Sequence, residues 1–84
     1  MNSKHRKTLM AVFSDPTPAS LAWANLEGLL KAAGCQVIEG PGSAVSFLHG
    51  QEIEFFHRPH PAKEAKRYQV RAARAFLIRI GVKP

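Results

Sequence analysis

One cysteine, one tryptophan and one tyrosine occur in 84 residues. A disulfide framework needs at least two thiols, and structural zinc normally takes several Cys or His ligands at set spacings, so neither is expected to hold this chain together. Cys35 follows Gly34 and opens Gln36-Val37-Ile38. It reads as a small buried apolar residue at the start of a strand rather than as a reactive thiol. No apolar run approaches the roughly 20 residues that cross a bilayer. Lys4, Arg6 and Lys7 imitate the basic start of a secretion signal, but Asp15-Pro16 interrupts the apolar stretch that would have to follow. A cytoplasmic location without membrane attachment is therefore expected. Acid is the other scarcity: from His57 to Pro84 only Glu64 is acidic, against eight Lys and Arg.

A chain of this length makes a single domain with one thin core and no deep cleft. Any chemistry must lie on its surface and draw binding energy from a large substrate or a partner chain. The 45% hydrophobic content excludes disorder. The first 56 residues carry four basic and five acidic side chains, so the whole net charge of +6 belongs to the last third. A field of this kind draws polyanions or an acidic protein; the plainer alternative is a basic helix that is merely solvated.

Residues 3–14 form an amphipathic segment with Leu9, Val12 and Phe13 on one face. Asp15-Pro16-Thr17-Pro18 breaks it. Ser20 is expected to cap a second helix reaching about Ala33, with Leu21, Leu26, Leu29 and Leu30 inward, Trp23 in or near the core, and Gly34 ending it. Gln36–Glu39 reads as a strand and Gly40-Pro41-Gly42 as a turn. Ser43–Leu48 alternates, Val45 and Phe47 against Ala44, Ser46 and Leu48. His49-Gly50 suits a two-residue hairpin loop. Gln51–His57 returns, with Ile53 and Phe55 on one face and Glu52, Glu54 and Phe56 on the other. Prolines in Arg58-Pro59-His60-Pro61 end the sheet. A last helix from about Lys66 to Ile80 buries Val70, Ala73, Leu77 and Ile80 and turns Arg67, Arg71 and Arg74 the opposite way.

The expected fold is α+β, a two-layer sandwich in which a three-stranded antiparallel meander is covered by helices. Its α-β-β-β-α core, residues 20–84, has the order of double-stranded-RNA-binding domains, which grip RNA by shape and phosphate contacts. Residues 1–16 add an N-terminal helix to the single domain 1–84.

The segments LAWANLEGLLKAAG, VIEGPGSAVSFL, FHRPHP and the closing FLIRIGV resemble, in order and spacing, the HicA family of bacterial toxins. The leading helix with an FHRPHP-type sequence resembles one subgroup of that family. The resemblance implies an endoribonuclease that cleaves mRNA without metal or other cofactor and is neutralised by a HicB-like antitoxin. It also implies a catalytic histidine directly after the Gly-Ser pair. Here Gly42-Ser43 is followed by Ala44-Val45, so no imidazole stands there.

Metal-free RNA cleavage needs a base for the 2′-hydroxyl, a donor for the leaving oxygen and positive charge near phosphorus. Histidine suits the first two roles and arginine the third. His57 and His60 are the candidate catalytic residues, because an antiparallel hairpin brings the end of the third strand beside the start of the second. Holding the loop in shape is their alternative role. A His pair at a spacing of three, with no nearby Asp or Cys, is too little for zinc. Arg58, Lys66, Arg67, Arg71 and Arg74 are the candidate RNA contacts. Tyr68 is either a packing residue or a stacking platform for a base. His49, at the hairpin tip, reads as exposed, and His5 as solvated.

Overall fold

Asn2 starts the first helix. Its side-chain oxygen accepts the backbone N–H of His5 at 2.8 Å, one of the orphan donors that every helix start leaves. In the computed structural model, which describes residues 1–84, α1 (Ser3–Val12) is followed by α2 (Trp23–Ala32), β1 (Gln36–Glu39), β2 (Ala44–His49), β3 (Glu52–His57) and α3 (Arg67–Arg79). This is the expected α+β two-layer order with its additional leading helix.

The second helix begins later than Ser20. Ala22 is its N-cap and no side chain caps it. The reason lies far along the chain. Trp23 N–H donates to the Lys63 carbonyl at 2.9 Å and Ala65 N–H to the Leu21 carbonyl at 2.7 Å. These bonds make a short antiparallel bridge between Ala22 and Glu64. An extended backbone at 21–22 outcompetes another half-turn of helix. Gly34, at φ +96°, then ends α2 in the left-handed region where glycine is favoured.

The strands lie in the order β1-β2-β3, all antiparallel. Ala44 pairs with His57, Ser46 with Phe55 and Leu48 with Ile53 on one face; Val45 pairs with Phe56 and Phe47 with Glu54 on the other. His49 pairs with Glu52, so the hairpin loop is Gly50-Gln51, one residue later than expected. Val45, Phe47 and Phe56 face the helices and are buried. They join Leu9 and Val12 of α1, Trp23, Leu26, Leu29 and Leu30 of α2, and Val70, Ala73, Phe76 and Leu77 of α3 in one apolar cluster. Trp23 meets Phe56 edge-on at 5.4 Å between ring centroids, a favourable aromatic arrangement. The opposite face of the sheet is uncovered, and there Ile53 and Phe55 are more than half exposed.

Cys35 is buried, and desolvation pushes its thiol up from the ordinary range. His5 is half-buried rather than solvated. Its ring lies against Gly28, where a β-carbon would come within 3.2 Å of Cε1, so the glycine admits α1 onto α2. His49 is also half-buried, beside Gly34.

Candidate functional site

The pairing of Ala44 with His57 puts the third strand's last imidazole directly across from the position after Gly42-Ser43. His57 is exposed on the open face of the sheet. Its Nδ1 lies 3.3 Å from Ser43 Oγ, a contact whose donor depends on the tautomer. Its ring meets Phe55 edge-on at 4.9 Å between centroids. Nε2 has no partner within the chain.

The backbone around the imidazole is tied from two sides. Arg58 N–H donates to the Ser43 carbonyl at 2.9 Å. The Gln69 amide donates to the His57 carbonyl at 2.7 Å, and its oxygen accepts the Lys66 N–H at 3.0 Å. Gln69 is 2% exposed, so both its polar ends are satisfied inside the protein. It couples the start of α3 to the end of β3. A shallow cleft of about 260 Å³ runs between these elements, lined by Glu54, Phe55, Phe56, His57, Tyr68, Gln69 and Ala72. Tyr68 is 62% exposed and packs no core.

His60 lies elsewhere. It lines a second cleft with Trp23, Arg58, Pro59 and Lys63. The structure thus puts the two histidines, three positions apart in sequence, on different clefts.

The five candidate cations divide in two. Arg58 is half-buried and held by carboxylates: Nε and Nη2 donate to Glu27 at 2.9 and 3.2 Å, and Nη1 and Nη2 to Glu39 at 2.7 and 2.9 Å. The guanidinium holds both carboxyls below their usual range, although burial of Glu27 works the other way. Arg74 donates to the carbonyls of Val12 and Ser14 at 2.9 and 2.6 Å and lies 5.8 Å from the Phe13 ring centroid. Arg67 donates from Nε to the Thr17 carbonyl at 3.2 Å but stays exposed. Lys66 and Arg71 are exposed, and their charged ends bond to no group of the chain. Arg79, on the side of α3 facing β3, is occupied by Glu52 and Glu54 at 2.8 and 3.1 Å.

Ser43 and Gln69 were not singled out from sequence. For Ser43 the signal was available: it adjoins Ala44, whose strand was already paired with His57. For Gln69 it was a glutamine three residues beyond a helix start, the position from which a side chain reaches back to the cap N–H.

A family model described as the HicA toxin of bacterial toxin-antitoxin matches residues 23–82. The chain belongs to the HicA toxin family. No curated protein and no solved structure gave a significant match. The match spans α2, the sheet and α3, so His57, Ser43 and Gln69 all lie within the HicA region, whereas α1 precedes it. In this HicA-family chain Val45 is 1% exposed and part of the core, and Ala44 is the residue on the sheet's open face beside His57. No group of three or more His, Cys, Asp or Glu side chains is placed to hold a metal ion, and no helix is long and apolar enough to cross a membrane.

Proposed function

We propose that this toxin is an endoribonuclease that cleaves mRNA without metal, with His57 as its general base. The pairing of His57 with Ala44 supports this reading: the imidazole stands one strand away from the position where the family resemblance expects it. When the Nδ1 proton is donated to Ser43 Oγ, Nε2 carries the free lone pair. Nε2 then takes the proton of an RNA 2′-hydroxyl. The 2′-oxygen bonds to the adjacent phosphorus, the bond to the 5′-oxygen breaks, and that oxygen takes up a proton from water in the open cleft. The expected products are a cyclic 2′,3′-phosphate and a 5′-hydroxyl. Lys66 and Arg71 offer charge to phosphate oxygens, with Arg67 beside them at the start of α3. Arg58 and Arg74 serve the fold instead, and His60, which lines the other cleft, takes no part in the chemistry. The partner that silences the toxin is a HicB-like antitoxin, and the pair works in the cytoplasm.

The decisive assay incubates purified chain with labelled mRNA in the presence of a chelator. Cleavage lost in folded His57→Ala and kept in His60→Ala supports the assignment; cleavage kept in His57→Ala removes His57 from the chemistry. A second reading is favoured by the missing imidazole at Ala44: the chain binds RNA without cutting it. A wild type that binds but does not cleave, with cleavage gained in Ala44→His, would establish that reading.

A further inference from the structure

Phe55 and Tyr68 come from different elements and flank one cleft, and both are more than half exposed. Large aromatic side chains seldom stay this open on both sides of a groove without a ligand to fill it. Phe55 is also the ring that touches His57. We infer that this cleft is a subsite for one unpaired nucleobase of single-stranded RNA, stacked against Phe55 and Tyr68, with its ribose presented to His57. The inference rests on the endoribonuclease reading and names the strand form it requires.

Three features favour a base over an apolar protein side chain. The cleft, at about 260 Å³, lies below the usual range of about 300–1,000 Å³ for pockets that enclose whole small molecules. It suits a flat ring whose sugar and phosphates remain outside. The helix that supplies Tyr68 also carries Arg71, and Lys66 stands at its cap; both are exposed with charges unpartnered in the chain, which fits a polyanionic strand. The cleft's one acid, Glu54, already accepts from Arg79 at 3.1 Å, which offsets the repulsion it would exert on phosphate. The base must be unpaired, because a duplex keeps its aromatic faces stacked on neighbouring pairs, out of reach of side chains at a groove.

The test measures binding of three fluorescein-labelled 2′-O-methyl RNAs to the full chain at low salt. They are an octamer, the same octamer abasic at its two central positions, and a duplex. The 2′-O-methyl group removes the proton that cleavage needs. Wild type is expected to hold the intact octamer about ten-fold more tightly than the abasic one, the order of a single stacked base. Phe55→Leu and Tyr68→Ala should each erase that preference while leaving affinity for the abasic octamer and the salt slope unchanged; Tyr68→Phe should keep it. Both positions are exposed, and Trp23 fluorescence checks that the variants fold. A preference that survives in both variants, or is absent from wild type, overturns the subsite. So does a wild type that favours the duplex, although RNA binding then stands. Binding to none of the three RNAs removes the subsite and the ribonuclease reading together. Variants that lose purified antitoxin yet keep the base preference assign these aromatics to the protein partner and overturn the subsite.

Discussion

Replacing Arg58 with alanine tests whether this cation belongs to the fold. The substitution removes every bond that joins β3's end to Glu27 on α2 and Glu39 on β1. The Glu27 side chain is only 15% exposed and keeps the Trp23 indole N–H at 2.9 Å and, more distantly, the exposed Lys31 ammonium at 3.8 Å. An exposed ion pair contributes about 0–1 kcal/mol and the loss of one partner of a fully buried pair costs about 3–5 kcal/mol. Arg58 is 29% exposed, so the pair lies between these limits and the expected loss is about 2 kcal/mol. For a domain of this size that lowers the melting temperature by roughly 8–16 °C. The exposed Glu39 contact adds little.

The pH dependence carries the sharper signature. Both carboxyls titrate lower in the folded protein than in the unfolded chain. Their contribution is complete above the unfolded carboxylate range, about pH 5, and falls away as the pH drops through the folded values, because the unfolded chain then binds more protons. Urea melts followed by Trp23 fluorescence and by circular dichroism, at pH 7 and pH 3, should therefore show a large gap between wild type and Arg58→Ala at pH 7 and a much smaller one at pH 3. A gap of equal size at both values would refute the ion-pair account. RNA affinity should keep the same salt slope in the variant. A shallower slope would mean that Arg58 meets phosphate after all.

Arg74→Ala should cost about 1–3 kcal/mol, since a guanidinium bonded to the Val12 and Ser14 carbonyls is lost; hydrogen exchange should rise first across α1. Phe47→Ala, in a core position at 0% exposure, should cost about 3–5 kcal/mol and leave little folded protein by calorimetry. Cys35 should react slowly with a neutral thiol reagent at pH 7 and rapidly in denaturant, because burial raises its thiol and shields it; equal rates would show the thiol to be open.

The meander was legible because the second and third strands alternate along most of their length and the turns carry glycine. Val45 and Phe47 facing in, with Phe56 opposite them, follows from a period of two. The α3 stripe was legible for the same reason at a period of 3.6. The start of α2 was not, because a backbone bridge to Glu64 sets it, 42 positions away, and local capping preference carries no trace of that bond. The placement of His57 followed from the hairpin register. The fate of the cations did not: sequence shows where the arginines lie on the helix, but Arg58 meets Glu27 31 residues upstream and Arg74 meets Val12 62 residues upstream. Tyr68 illustrates the same gap, since only the position of α3 beside β3 decides that its ring stays open.

The first helix lies wholly ahead of the stretch matched to the family, yet Leu9 and Val12 help to close the core and its tail carbonyls clasp Arg74. A recombinant fragment trimmed to 23–82 would expose an oily trench along α2 and strand a half-sheltered guanidinium. Such a fragment should be sticky and poorly soluble, and a failed toxicity assay performed with it would report on the missing lid rather than on the chemistry at His57.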